Sequence, residues 1–330
     1  MRIVIDAMGS DRAPAVEVEG AMQAVEEFGY DLILVGDEGI VNDELKKQGQ
    51  AVRGKISVVH APEHIEMNEP AALSVRRKRK SSIVMGLEML KREEADAFVS
   101  AGNTGAVVCA ATLSLRLLPG IERPGIAICI PTLNGTSVII DVGANIDPKP
   151  IHLLQYGIMA DAYSRYILHK SNPTVGLLNV GEEEGKGTDF IKECHTMISE
   201  SKLNFIGNIE GRDIYAGTAD IILCDGFVGN VILKVSESVV DTILKLLKQE
   251  IRASVIATLG AALASTAFGE LKKKMDYSEY GGAPLLGVDG RCIISHGSSS
   301  PKAIKNAIRV AGEFMTRGVN KHIVEEIESY

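Results

Sequence analysis

An α/β architecture, a three-layer α/β/α sandwich on a mainly parallel sheet, is what this sequence predicts. Three observations point there. Short apolar runs alternate with stretches of helical periodicity through most of the chain. Several of those runs are apolar throughout rather than alternating, as strands buried on both faces are. The 33 glycines fall largely in short clusters just after the runs, where strand-to-helix turns would sit.

Taken in order, Arg2–Asp6, Leu32–Gly36, Ile56–His60 and Ala97–Ser100 read as strands. Between the first two, Val18, Ala21, Ala24, Val25 and Phe28 repeat at helical spacing. Gly125–Pro131 and Thr136–Asp141 are two further strands. The Asn-Gly of the intervening Leu133-Asn134-Gly135 signals a hairpin, so the sheet is expected to be mixed. A long helix is expected over Ile151–Lys170, and strands over Thr174–Val180, Asn204–Gly207, Asp220–Cys224 and Cys292–Ser295. A last helix starts at Pro301, a favoured first-turn residue, with Ala303, Ile304, Ala307, Ile308, Ala311 and Phe314 on its apolar face. The alternation breaks between Asn230 and Lys274, where helical segments near Asn230–Lys248 and Ile251–Lys274 follow one another without a strand. Residues 1–330 therefore read as one extended catalytic body, with 230–274 inserted as a projecting helical hairpin for dimer or membrane contact.

Composition narrows the function. The formal charge of −8 argues against extended nucleic-acid binding, while leaving room for a local basic patch. None of the five cysteines forms a C-x-x-C pair, and most sit among apolar residues, as buried free thiols do. The start, MRIVIDAMGSD, passes directly into a strand and a turn, unlike a secretory signal, so a cytoplasmic protein is expected. The uncharged stretch from Ala253 to Gly269, rich in Ala, Ser and Thr, is too short and too weakly apolar to span a bilayer. With the following Lys272–Lys274 it suits a subunit interface or peripheral contact with a membrane surface.

In a parallel α/β fold the polar loops after the strands gather in one crevice, where free N–H groups of helix starts favour anions. Gly9, Ser10 and Asp11 follow the first strand; Gly9 suits a turn as well as a ligand. Gly102, Asn103 and Thr104 open a helix, where they fit phosphate or thioester contact and simple capping equally. Asn145 fits ligand binding or turn stabilisation. Lys186 sits in NVGEEEGKG, which lacks the Ser or Thr of a nucleotide phosphate loop. It reads as a ligand for one phosphate oxygen or as a surface lysine. The adjacent carboxylates show no compelling metal pattern. Asn230 begins a helix and suits either a carbonyl or a cap. His296, Ser298 and Ser299 lead into the Pro301 helix, an anion-binding arrangement in which the imidazole binds substrate, transfers a proton or is structural. The run Arg76, Arg77, Lys78, Arg79, Lys80 is a solvated face or a docking patch for an acidic partner. Five consecutive positions cannot share one helix face.

Seven pieces in order carry a family resemblance: IVIDAMGSD at 3–11, RRKRKSSI at 76–83, SAGNTGA at 100–106, DVGAN at 141–145, NVGEEEGKG at 179–187, DGFVGN at 225–230 and HGSSS at 296–300. Together they resemble, over essentially the full chain, the bacterial phosphate acyltransferases of phospholipid synthesis. The resemblance implies a fold like those of phosphotransacetylase and isocitrate dehydrogenase. It implies reversible transfer of a fatty acyl group from acyl-acyl carrier protein to inorganic phosphate. It also implies a homodimer that associates peripherally with membrane and supplies acyl phosphate to a membrane glycerol-phosphate acyltransferase. No redox cofactor or metal is required, because phosphate itself attacks the thioester. On this reading Lys186 and the helix start at His296–Ser300 hold phosphate, Asn230 and the AGNTG loop align the carbonyl, and the basic run receives the carrier. Two rivals remain: a nicotinamide-dependent dehydrogenase of related fold, weakened by the lack of G-x-G-x-x-G after the first strand, and a membrane-associated scaffold.

Overall fold

The computed structural model describes residues 1–48, 53–275, 279 and 281–330; of the Lys272–Lys274 run, the Lys272 side chain lies outside the described residues. Strands β1 (Arg2–Asp6), β2 (Asp31–Gly36), β3 (Ile56–His60) and β4 (Ala97–Ser100) are mutually parallel. Helices α1 (Ala15–Phe28), α2 (Glu38–Lys47), α3 (Ala71–Arg77) and α4 (Ser82–Lys91) connect them. After β4 come α5 (Thr104–Leu115), the hairpin β5 (Gly125–Thr132) and β6 (Gly135–Ile140), and α6 (Pro150–Tyr166). The third part holds β7 (Thr174–Leu178), α7 (Asp189–Ser199), β8 (Asn204–Ile209), α8 (Gly211–Ala216) and β9 (Ile221–Leu223). An arm of three helices follows: α9 (Gly226–Ala253), α10 (Val255–Leu263) and α11 (Ser265–Met275). The chain returns through β10 (Ala283–Leu286) and β11 (Cys292–Ile294) to α12 (Pro301–Thr316) and α13 (Val319–Glu328).

Among the described residues the strands form one sheet in the order β3-β2-β1-β4-β11-β10-β5-β6-β9-β7-β8. Helices cover both faces, which is why the central strands are apolar throughout. In β1, Val4 faces the layer holding α4 and α5, whereas Ile3 and Ile5 face α1 and α12.

Strand direction differs from the expectation of a common crevice for every loop. β11 is parallel to β4, but β10 is antiparallel to β11, β5 to β10 and β6 to β5. Three reversals leave β6, β9, β7 and β8 running opposite to β1–β4 and β11. The loops after β1, β4 and β11 therefore lie at one edge of the sheet and those after β6, β7 and β9 at the other. One reversal was legible as the Asn-Gly hairpin. The others depend on β10, a short strand interrupted by Pro284 that local pattern does not reveal.

Residues 226–275 form three helices, with breaks at Ser254, whose hydroxyl caps α10, and at Ala264. Of the long α9, only Gly226 and Gly229 are buried. Both pack onto the turn after β6: a Cβ on Gly229 would lie 1.9 Å from the Asp141 carbonyl oxygen, and one on Gly226 2.4 Å from that of Asn145. The terminal helical region is likewise divided, by Gly318 at φ 61° between α12 and α13.

Candidate active site

Two buried carboxylates organise the loops. Asp6, at the end of β1, accepts from the Met8 N–H at 3.1 Å and the Ser100 hydroxyl at 2.7 Å, and Ser100 Oγ in turn accepts from the Gly102 N–H at 3.0 Å. Gly9 approaches this junction so closely that a Cβ would lie 2.6 Å from Gly102 N. Asp141, at the end of β6, accepts from four backbone N–H groups, those of Ile126, Gly143, Ala144 and Asn145, at 2.6 to 3.0 Å. Burial raises both carboxyls above the usual range, against the lowering effect of these donors.

The first of these loops braces its neighbours. The Ser10 N–H donates to Glu17 Oε1 at 2.9 Å, the Asp11 N–H to the Gly297 carbonyl at 2.9 Å, and Arg12 Nη2 to the Ser299 carbonyl at 3.3 Å. Asn103 caps α5 by accepting from the Ala106 N–H at 3.0 Å, while its Nδ2 donates to the carbonyls of Glu66, Met67 and Glu69. Its amide thus ties the 66–69 segment to the start of α5. Ser300 caps α12 through the Ala303 N–H at 3.2 Å. The His296 ring nitrogen Nδ1 accepts from the Ser298 N–H at 3.2 Å and lies 2.7 Å from Ser298 Oγ. A neutral His296 therefore carries its proton on Nε2.

A crevice of 1320 Å³ joins these elements. Asp11, Gly102, Asn103, Thr104, His296 and Ser299 line it beside the N-termini of α5 and α12. Asn230 and Gly143 line it from the opposite edge of the sheet. The floor between is apolar: Ile126, Ile128 and Ile130 of β5, with Ala283 and Ile294. Helix α9 supplies the far wall, where Leu233, Val240 and Leu244 alternate with Lys234, Glu237 and Asp241. Two helix N-termini facing one cavity make an anion site, and an apolar floor leading from it suits a hydrocarbon. Cys129 also lines the crevice, but burial pushes its thiol up to about 11, so a thiolate nucleophile at neutral pH is not on offer.

Other residues singled out in the sequence lie outside this lining. The Asn145 side chain points inward, donating to the Pro124 carbonyl at 2.9 Å and the Tyr156 hydroxyl at 2.6 Å. Lys186 is exposed beyond β7, near the far end of the sheet. Its carbonyl accepts from Asn179 Nδ2 and its N–H donates to Glu183. Gly9, Ser10 and Ser298 back the lining rather than form it. The basic run divides at the end of α3: Arg76, Arg77, Arg79 and Lys80 are exposed, whereas Lys78 pairs with Glu69 and holds the Glu69 carboxyl down at about 2. Sequence reasoning missed Ser295, whose buried hydroxyl has no protein partner and sits in the crevice wall. It also missed the period-two ladder Ile126, Ile128, Ile130, visible in the strand but not separable there from ordinary core.

Comparisons with known proteins place the chain. A family model described as a fatty acid synthesis protein matches residues 1–322. The phosphate acyltransferase of Geotalea uraniireducens is 48% identical over 99% of this chain and 94% of its own length. That of Aquifex aeolicus is 46% identical over 100% and 97%. Among solved structures, a phosphotransacetylase from Streptococcus pyogenes superposes with a TM-score of 0.65 at 18% identity, covering 96% of this chain and 94% of that one. A branched-chain phosphotransacylase from Enterococcus faecalis gives 0.58 at 14% identity, covering 96% and 99%. These place the α/β fold with the phosphotransacetylase-like structures. By sequence the chain belongs to the phosphate acyltransferase family of lipid synthesis, enzymes that form acyl phosphates.

Proposed function

We propose that this enzyme moves a fatty acyl group from the thioester of acyl carrier protein to inorganic phosphate, by direct attack of phosphate on the thioester carbon. The observation that carries the reading is the meeting of two helix N-termini, those of α5 and α12, at one end of an apolar crevice. Phosphate sits at those N-termini, beside Ser299 and Thr104. One of its oxygens forms the new bond to carbon, the carbonyl oxygen gains charge, and collapse breaks the C–S bond. The thiolate takes up a proton, and Nε2–H of His296 is placed to supply it, to be restored from the attacking hydrogen phosphate. The half-buried Asn230 is the side-chain donor for the carbonyl oxygen. Lys186 then serves only the outer approach of phosphate, because it is exposed and stands outside the crevice lining.

The same reading extends to partners. The exposed Arg76, Arg77, Arg79 and Lys80 suit an acidic carrier, since α3 packs against the start of α5 at the crevice mouth, where Ala71 meets Gly105. The chain works as one catalytic body with the 230–274 region as an insertion. Outside the crevice, α9 exposes Val231, Val235, Val239, Ile243 and Leu246, a stripe at helical spacing that suits a second copy in a homodimer. At the tip, Val255, Ile256, Leu259 and Leu263 are between 63% and 90% exposed and suit peripheral membrane contact by a cytoplasmic enzyme. No described helix is long and apolar enough to cross a membrane. The test is phosphate-dependent formation of a hydroxylamine-reactive acyl phosphate from acyl-carrier protein, matched mole for mole by free carrier thiol. His296→Ala should lower kcat by about a hundredfold, the contribution typical of general acid–base help. Absence of acyl phosphate with the folded wild-type enzyme would sink the proposal.

A further inference from the structure

We infer that Lys234 of α9 is the side-chain cation of the phosphate site, its ammonium holding an oxygen of inorganic phosphate in the crevice. The inference rests on the acyl-transfer reading above and supplies the cation that Lys186, outside the lining, does not.

Charge balance calls for one. Phosphate carries between roughly one and two negative charges near neutral pH, and the N-termini of α5 and α12 together offer about one positive charge. The lining adds the carboxylates of Asp11, Glu237 and Asp241, of which Asp241 is paired with Lys245 at 2.5 Å. Its cations are Arg212, Lys234 and Lys274. Arg212 is committed to Glu182 at 3.0 Å and Glu210 at 3.1 Å. Lys234 makes no hydrogen bond or ion pair among the described residues, although Glu237 stands three residues on.

Position selects Lys234 over Lys274. Asn230, Leu233, Lys234, Glu237, Val240 and Leu244 line the crevice at helical spacing, so one stripe of α9 faces inward. The stripe begins where the floor closes. There Asn230 stands beside Gly143, the Val142 N–H donates to the Ile126 carbonyl, and the Ile126 N–H donates to Asp141. From that end it advances along β5, and the anion site lies in the same direction. Leu285 pairs with Ile126 and Ala283 with Ile294, which sets the loop after β11 level with Ile130 and the residues beyond it. The Ile294–Ser100 pair brings the start of α5 to the same level. Lys234 is one turn, about 6 Å, beyond Asn230. It therefore stands between that amide and the helix N-termini, on a flexible four-carbon stem. Lys274 comes instead from α11, the last helix of the arm. The Asn230 amide also has no partner among the described residues, unlike those of Asn103 and Asn145. An amide and an ammonium one turn apart are thus both free to meet substrate oxygens.

The experiment measures KM for phosphate and for palmitoyl-carrier protein, and titrates phosphate alone into the enzyme by calorimetry. It does so in wild type, Lys234→Met, Lys234→Arg and Lys274→Met. Lys234 is exposed, and methionine matches its helix propensity, so the variant folds. Losing a charge-assisted bond should raise the phosphate KM and weaken phosphate binding about tenfold or more in Lys234→Met, with the carrier KM unchanged. Lys234→Arg should recover most of the loss. An unchanged phosphate KM in Lys234→Met overturns the inference. So does a rise in the carrier KM alone, which would put the ammonium on the phosphodiester of the carrier arm, or a larger phosphate defect in Lys274→Met. Wild-type enzyme that binds phosphate but makes no acyl phosphate would instead sink the acyl-transfer reading, and calorimetry of the variants would still decide whether Lys234 holds the anion.

Discussion

Replacing Glu17 by glutamine should stabilise the protein at neutral and alkaline pH while changing little in acid. Glu17 lies in the first turn of α1 with no exposed surface. Its Oε1 accepts from the Ser10 N–H at 2.9 Å, and its Oε2 is buried without a protein partner. Burial lifts the carboxyl from 4.5 to about 7, with Asp6 adding a smaller push. Because the folded value is the higher one, the stability this group contributes is fully present below pH 4.5 and is lost as pH rises through about 7. The full shift is worth about 3 kcal/mol at roughly 1.4 kcal/mol per pH unit. Glutamine keeps the acceptor for Ser10 and cannot ionise, so it stands for the neutral acid at every pH. Urea unfolding of both proteins at several pH values reads the difference. Between about pH 5 and pH 8 the variant should gain about 2 kcal/mol on the wild type. Parallel pH profiles for the two proteins would refute the reasoning.

Two other perturbations test the site. Gly229→Ala forces a Cβ to within 1.9 Å of the Asp141 carbonyl oxygen, a backbone atom held by its neighbours. It should cost roughly 3 kcal/mol in denaturant unfolding, and it should lower kcat as well, because Asn230 is the next residue on the displaced helix. Reversing Arg76 and Arg77 to Glu should raise KM for a carrier-borne donor about tenfold at low salt, with the effect shrinking as salt is added. The same double variant should treat an uncharged pantetheine thioester as wild type does; equal losses on both donors would remove the run from carrier docking.

Much of the local structure was legible. β1, β3 and β4 occupy the residues expected of them, because a short apolar run closed by a turn cluster, glycine-containing after β1 and β4 and proline-containing after β3, is a local signal. The start of α12 was legible for the same kind of reason: Pro301 after three serines is both a cap and a first turn. The helical character of 226–275 was visible; one break was expected between Lys248 and Ile251 and falls at Ser254, whereas the break at Ala264 was not visible, since alanine does not interrupt helical periodicity by type.

The candidate site was legible as a set of loops and not as a place. Asn103 and Asn145 were correctly marked as polar residues at strand ends, yet each side chain is committed to backbone carbonyls or a hydroxyl supplied by other segments. For Asn103 these come from 66–69, and for Asn145 from Pro124 and Tyr156. Lys186 looked like a phosphate ligand because a Gly-rich loop after a strand has that chemistry wherever it lies. Sequence alone thus determined the α/β class, the strands and helices, the glycine-rich junctions and the family, all properties of residues close together or of ordered motifs. Tertiary structure decided which junctions meet. Three antiparallel steps through β10, β5 and β6 turn half of the sheet over. The loop after β7 therefore leaves the edge where the α5 and α12 N-termini stand, and the isoleucines of β5 become the floor between them and α9. Strand direction is set by pairing between distant segments, and no local period records it.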